Sequence, residues 1–301
     1  MRRVLVIRLG ALGDVVMSFP AFAAIRAHHP QAEITLLTTR HYAALAEAAP
    51  WFNRVAVDAR PAWWNVPALL RLRRMLRGFD RAYDLQTSGR SSWYFHLAGR
   101  PPWSGIARGC SLPQAGPARE RMHTFERQRD QLERAGITHF PAPDLSFLTS
   151  RKLPPLPERF ALLVPGASAH RPGKRWPAER YGELAILLAA RGLTPVVTGA
   201  PSEAPLADTI RAACPEAVDL TDRSPLIDVF ALAARAALVV GNDTGPTHIA
   251  TAAGCPTIVL FSHESDPAMT APRGPGGAWP TVIRVPVLAD LPVARVAAAL
   301  P

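Results

Sequence analysis

Lysine is nearly missing from this chain of 301 residues: of its 34 basic residues only Lys152 and Lys174 are lysines, and the rest are arginines. Cysteine is as scarce. Cys110, Cys214 and Cys255 are odd in number, far apart and without a C-x-x-C pair, which excludes a disulfide framework and a structural zinc site. Each reads as a small buried hydrophobe. No apolar run approaches the ~18–20 residues that span a bilayer, so no transmembrane segment is expected. The apolar run after Arg3 is ended by Arg8, well short of the ~7–15 residues of a signal peptide, so the start reads as cytosolic in type and as a first strand. No short repeat or low-complexity tract is present, nor any His/Asp/Glu cluster at metal-ligand spacing. With 48% hydrophobic and 19% charged residues the chain is neither disordered nor fibrous, and its length suggests about two domains.

What is present is charge on one side. Residues 1–150 hold 20 arginines against 11 acids, a balance of +9, whereas residues 151–301 hold 14 basic residues against 13 acids, a balance of +1. A basic half faces something anionic: nucleic acid, a phosphorylated small molecule, or an acidic membrane surface.

Short β-branched runs alternate with helical patterns. In the first half strands are expected at 4–7, 33–37, 54–57, 82–85 and 104–106, with a helix over 20–28 capped by Ser18. Residues 141–158 are rich in proline and read as a linker between domains 1–150 and 151–301. The second half repeats the alternation, with strands at 160–164, 195–198, near 218, 237–240 and 257–261. Helices are expected at 177–191, 202–213, 225–235 and 246–253, the last stopped by Gly254 and Pro256. A final helix over 291–300 is a candidate to pack back on the first domain. Strand–helix–strand spacing of this kind implies two doubly wound parallel α/β domains, whose ligands bind beyond the carboxyl ends of the strands. The cleft between the domains is therefore the expected site.

Three strand-to-helix loops could carry chemistry. In Arg8-Leu9-Gly10-Ala11-Leu12-Gly13-Asp14-Val15-Val16 the glycines permit a tight turn but do not complete G-x-G-x-x-G. Asp14 there is either a general base or a helix-start carboxylate satisfying free N–H groups. The segment 165–177 contains Gly166, Ser168, Gly173, Lys174 and Trp176. It suits a phosphate through its backbone amides, the following helix dipole and Lys174, or is a solvated loop. It is not a Walker loop, and Trp176 reads as packing. In Gly241-Asn242-Asp243-Thr244-Gly245-Pro246-Thr247-His248 the helix start offers free amides to an anion. Asp243 would orient a neighbour or accept from a sugar hydroxyl, and His248 either donates to a phosphate or packs. A fourth feature, residues 67–77, reads as a basic amphipathic helix setting Leu69, Leu70, Leu72, Met75 and Leu76 against four arginines. It either docks on an anionic membrane or lipid-linked substrate, or packs as a crossover helix.

Taken together, Leu9-Gly10-Ala11-Leu12-Gly13-Asp14-Val15-Val16, Lys174-Arg175-Trp176-Pro177 and Asp243-Thr244-Gly245-Pro246-Thr247-His248-Ile249-Ala250 resemble glycosyltransferase family 9, which contains the bacterial lipopolysaccharide heptosyltransferases. The resemblance runs in order over most of the chain, and the Asp-Thr-Gly-Pro-x-His element is its most specific part. It implies a GT-B fold, two Rossmann-like domains around a cleft, with an acceptor-binding domain over 1–150 and a nucleotide-sugar-binding domain over 151–301. It implies inversion at the anomeric carbon with neither metal nor other cofactor. Asp14 matches the catalytic base and Lys174 the lysine on the donor diphosphate. Thr244, Gly245 and His248 match the helix-start phosphate site, Asp243 the acid before it, and Glu203 the acid on the nucleotide ribose. Ser168 is the nearest hydroxyl for the phosphate loop. The chain departs from the family after the 257–261 strand, where Ser262-His263-Glu264-Ser265-Asp266-Pro267 replaces the usual Gly-Pro-Thr.

The function this implies is transfer of a heptose-like sugar from a nucleotide-diphosphate donor, ADP-heptose favoured, to an anionic lipid-linked saccharide. The location implied is cytoplasmic, peripheral at the inner membrane, with no nucleic-acid partner. Two alternatives stay open: a GT-B nucleotide-sugar epimerase or hydrolase, which would consume donor without acceptor, and a basic nucleic-acid-binding protein, which would bind DNA with steep salt dependence.

Overall fold

A computed structural model describes residues 2–149 and 153–301. The chain divides into two units, Met1–Phe147 and Leu148–Pro301, each with its own parallel six-stranded sheet.

The first unit runs β1 (Arg3–Ile7), α1 (Leu12–Val16), α2 (Phe19–His28), β2 (Glu33–Thr38), α3 (Arg40–Ala48), β3 (Arg54–Val57), α4 (Val66–Leu76), β4 (Arg81–Asp84), α5 (Gly89–Leu97), β5 (Trp103–Gly105), β6 (Leu112–Pro113) and α6 (Thr124–Arg134). Its strand order is β3-β2-β1-β4-β5-β6. The second unit runs β7 (Phe160–Val164), α7 (Ala178–Ala190), β8 (Thr194–Val197), α8 (Ala204–Ala213), β9 (Val218–Asp219), α9 (Asp228–Ala233), β10 (Leu238–Asn242), α10 (Gly245–Ala252), β11 (Thr257–Phe261), α11 (Pro267–Thr270), β12 (Thr281–Arg284) and α12 (Val293–Ala297). Its order, β12-β11-β10-β7-β8-β9, is the same arrangement read from the other edge. Both are the doubly wound Rossmann order, in which direction reverses beside the first strand. The two sheets, flanked by helices, make the GT-B architecture.

The central strands form here because their residues are apolar on both faces, as a sheet covered on both sides requires. In β7 Ala161 and Leu163 face a core shared with Leu184, Leu188 and Ile210, while Phe160, Leu162 and Val164 face one shared with Leu232, Val239 and Ala250. Central strand β1 is buried from Val4 to Ile7. α12 packs on α7, with Val293 and Val296 entering the same core as Leu184.

Several local expectations are corrected. Ser18 sits at the N-cap of α2, yet its hydroxyl donates to the Asp14 carbonyl (2.7 Å) and accepts from Gln128 Nε2 (2.9 Å) instead of capping. α3, α5, β6, α6, α11 and β12 were not expected. α6 escapes a hydrophobic pattern because its inward face is largely polar: Thr124, Gln128, Gln131 and Leu132. Cys255 is partly exposed, unlike buried Cys110 and Cys214. In α4, Leu72 and Leu76 are buried, but Leu70 lies among the arginines on the solvent side. Asn65 caps this helix by accepting from Ala68 N (3.2 Å). Among the described residues no helix is long and apolar enough to cross a membrane.

Candidate active site

In each unit the candidate residues collect at the point where strand order reverses, between β1 and β4 in the first and between β7 and β10 in the second. A crevice opens there because the connections on either side leave in opposite directions.

In the first unit the loop after β1 turns tightly at Gly10 (φ +123°), where a Cβ would approach Tyr42 Cε2 to 2.6 Å. Glycine meets both demands, the left-handed backbone and the close ring. The turn delivers Asp14 to the first turn of α1. Asp14 Oδ2 accepts from Ala11 N (3.0 Å), so the helix-start role anticipated for it is present. Its Oδ1 pairs with Arg8 Nη2 (3.0 Å). Arg8 is buried. Its Nη1 donates to the Leu85 carbonyl (2.5 Å) and its Nε to the Asp14 carbonyl (3.2 Å), tying the loop after β1 to the end of β4. Burial holds the Arg8 pKa below its ordinary value, and Asp14 offsets only part of that lowering. Leu9 N donates to Gln86 Oε1 (2.8 Å) across the same junction.

Asp14 lines a cavity of about 690 Å³ together with Arg40, His41, Tyr42, Arg60 and Gln86. Each of its oxygens accepts one hydrogen bond and has room for a second, so it can serve as cap and proton acceptor together. Behind this cavity Tyr94 donates to buried Asp58 (2.5 Å), whose Oδ1 accepts from Arg60 N (2.7 Å) and shapes the wall.

In the second unit one carboxylate organises the site. Asp243 follows β10 and is buried. Its Oδ2 accepts from Lys174 Nζ (2.5 Å) and Ser265 Oγ (2.6 Å), and its Oδ1 bonds His248 Nε2 (3.1 Å). Burial by itself would raise the Asp243 pKa. The hydrogen bond and charge of His248 and the Lys174 ammonium outweigh it and hold the carboxyl well below the usual carboxylate range. His248 Nδ1 and Thr247 Oγ1 are buried with no hydrogen-bond partner among the described residues.

The neighbouring Asn242 locks the frame. Its Oδ1 accepts from Trp176 N (3.1 Å) and Tyr181 Oη (3.2 Å), while its Nδ2 donates to the Pro165 carbonyl (2.8 Å). That fixes the loop after β7 against the end of β10. Trp176 is the packing residue expected, with Nε1 donating to the Leu291 carbonyl (3.0 Å). Thr244 is the N-cap of α10 and Gly245 its first residue. Helix geometry leaves the Gly245 and Thr247 amides without intrahelical acceptors, and Pro246 has none to leave. Glu203 stands over Gly166 and Gly199, accepts from Ala200 N (2.8 Å), and would be struck by a Cβ on Gly166.

Ser168 is exposed and makes none of the bonds that join Lys174, His248 and Ser265 to Asp243. Arg8, Asn242, Glu264 and Ser265 were missed. Glu264 Oε1 accepts from Gly173 N (3.1 Å), bracing the loop that carries Lys174. Their signal was positional, since each stands at or just beyond the carboxyl end of a central strand. Among the described residues no group of three His, Cys, Asp or Glu side chains is arranged to hold a metal ion.

The sequence profile of glycosyltransferase family 9 (heptosyltransferase) matches residues 69–277, which take in Lys174, Glu203 and the 243–248 element. The chain belongs to glycosyltransferase family 9. It is similar to lipooligosaccharide heptosyltransferase 2 of Haemophilus influenzae, 25% identical over 297 residues, covering 89% of this chain and 85% of that one. It is likewise similar to lipopolysaccharide heptosyltransferase 3 of Escherichia coli, 25% identical over 274 residues, covering 83% and 79%. Among solved structures, E. coli heptosyltransferase WaaC with ADP superposes with a TM-score of 0.78 at 23% identity, over 99% of this chain and 98% of that one. The family member's fold is thus that of WaaC.

Proposed function

We propose that this glycosyltransferase is an inverting heptosyltransferase, moving a heptose from ADP-heptose to the saccharide of a lipopolysaccharide-type acceptor. The observation that carries the reading is the Lys174–Asp243–His248 cluster at the second switch point of a family 9 chain. The nature of its relatives supports it: they are lipopolysaccharide and lipooligosaccharide heptosyltransferases, and the similar WaaC has been solved with ADP and with ADP-2-deoxy-2-fluoro heptose.

Each unit supplies half of the chemistry. Lys174 has three N–H groups; one reaches Asp243, and two remain for donor diphosphate oxygens. The Gly245 and Thr247 amides and the dipole of α10 add positive potential. Asp243 holds Lys174 and His248 in place, and Glu203 accepts from the ribose hydroxyls. As the sugar turns oxocarbenium-like, the bond from its anomeric carbon to the diphosphate breaks. The electron pair leaves with ADP, and these donors stabilise the growing charge. The acceptor oxygen forms the new bond from the opposite face, and its proton passes to Asp14. No metal enters the scheme. The surplus of arginine in the first unit faces the phosphorylated or carboxylated acceptor, and the enzyme works peripherally at the cytoplasmic face of the inner membrane.

Two measurements test this. In a thermal-shift series with ADP, GDP, UDP and CMP in EDTA, ADP should stabilise the protein by about 2.7 kcal/mol at about 100 times its Kd. A shift with a different nucleotide would replace the donor. With ADP-heptose, release of ADP should require the saccharide acceptor; release at the same rate without it would establish the hydrolase alternative, and conversion of the donor to an epimeric ADP-sugar with no net ADP release would establish the epimerase.

A further inference from the structure

α4 presents a face that its own unit does not use. Leu72 and Leu76 anchor it in the core, with Leu69 and Met75 half-buried beside them. On the opposite side Val66, Leu70, Arg73 and Arg77 follow one another at helical spacing, flanked by Arg74. Val66 is 58% and Leu70 47% exposed. The turn that leads into the helix adds two tryptophans, Trp63 at 78% and Trp64 at 69% exposure, their rings edge to face with centroids 5.5 Å apart. Large indoles this exposed are uncommon on a soluble surface, and here four apolar side chains lie within eight residues. From residue 59 to residue 79 there are five arginines and no acid.

We propose that the Trp63–Trp64 turn and the outward face of α4 form a docking surface for an anionic lipid bilayer. The proposal rests on the reading of a lipid-held acceptor and specifies how the enzyme reaches it. The polarity is graded along the helix. The indoles, Val66 and Leu70 occupy its N-terminal end, and the arginines follow toward its C-terminal end, about 16 Å of helix in all. Indoles settle at the boundary between acyl chains and headgroups, and arginines meet lipid phosphates. The apolar end therefore enters the interface while Arg73, Arg74 and Arg77 stay at headgroup level. A second copy of the chain is the poorer occupant, because this face carries arginines and no acid, so a contact between two copies of it would bring like charges together with no counter-charge. A bilayer rich in anionic lipid offers apolar depth and negative charge on one surface.

The test is co-sedimentation of the full chain with vesicles of pure phosphatidylcholine and with vesicles of phosphatidylcholine and phosphatidylglycerol. Wild type should sediment with the anionic vesicles and stay in solution with the neutral ones. Trp63→Ser with Trp64→Ser should abolish binding. Each of Arg73→Gln, Arg74→Gln and Arg77→Gln should weaken it about fivefold, the equivalent of about 1 kcal/mol per charge. Brominated lipid should quench tryptophan fluorescence in wild type and much less in the double variant. Equal sedimentation of wild type and the tryptophan variant would overturn the proposal. So would a wild-type dimer that the variant dissolves without any vesicle binding, which would assign the face to self-association. Transfer to a delipidated, soluble acceptor separates this inference from the one beneath it. If the tryptophan variant matches wild type on that acceptor yet has lost vesicle binding, docking is supported. If wild type binds vesicles but transfers no heptose to any acceptor, docking stands and the transferase reading falls.

Discussion

Arg8 and Asp14 form an ion pair in which the cation is buried and the anion is not: the arginine side chain is 5% exposed and the carboxylate 36%. A buried guanidinium needs its donors satisfied. Here two backbone carbonyls and one Asp14 oxygen do so, and the carboxylate is left oriented toward the cavity.

Asp14→Asn should therefore separate chemistry from architecture. The amide oxygen can still accept from Ala11 N, and Arg8 keeps its bonds to the Leu85 and Asp14 carbonyls. The amide N–H groups then face Arg8 Nη2, so one guanidinium donor loses its acceptor, and the stability cost should be about 1–3 kcal/mol. Loss of the proton acceptor should lower turnover by about 10²- to 10⁴-fold with ADP affinity unchanged. An acceptor-dependent ADP-release assay beside a binding isotherm reads both, and near-normal turnover would remove Asp14 from the mechanism.

Asp243→Asn addresses the other unit. It strands the Lys174 ammonium, only 13% exposed, and should cost about 3–5 kcal/mol. The wild-type carboxyl is held below its ordinary value of 3.8, so its contribution is present above that pH and lost as the pH falls beneath it. Urea unfolding across the acid range should show that loss in wild type and a flatter curve in the variant. Parallel curves would mean that the cluster does not carry acid stability.

The reverse sign is expected at Asp84, buried at the end of β4. Desolvation raises it from 3.8 to about 6, against hydrogen bonds from Thr87, Ser91 and Gln86. The native state then holds a proton that the unfolded chain releases. Stability from this group is full below pH 3.8 and is lost as the pH rises through about 6. Asp84→Asn preserves an acceptor for the Gln86 and Thr87 amides and removes the titration. The stability difference between variant and wild type should move in the variant's favour from pH 4 to pH 7, and a constant difference would refute the shift.

Gly166→Ala probes Glu203 without touching it. The new methyl would strike only the end of a flexible side chain, so the melting temperature should hardly change while Glu203 swings away. If Glu203 binds the ribose, ADP affinity should fall about three- to tenfold, as for a lost hydrogen bond. Glu203→Gln provides the comparison. Wild-type ADP affinity in both variants would place the ribose elsewhere.

The strands other than β6 and β12, and the loops after β1, β7 and β10, were legible because buried parallel strands are apolar runs and their glycine-rich exits stand out. α6 was not, since Gln131 spends its amide on the carbonyls of Asp84 and Ser104 and so buries a polar side chain that no hydrophobic pattern flags. Ser265 and Glu264 were visible only as a departure from the family motif. Their contacts to Asp243 and Gly173 cross 22 and 91 positions, and such separations leave no local trace. Leu70 was misplaced for a simpler reason: composition marks a residue as apolar, but the phase of the helix decides which way it faces.

The scarcity of lysine gives Lys174 a second use. An amine-directed acylating reagent would find in this chain only the terminal amine, Lys152 and Lys174. Lys174 is paired with a carboxylate and little exposed, so it should react slowly in the free protein and more slowly still under bound ADP. Mass-resolved labelling of that one residue would then count occupied donor sites in a mixture, with no substrate analogue and no purified acceptor.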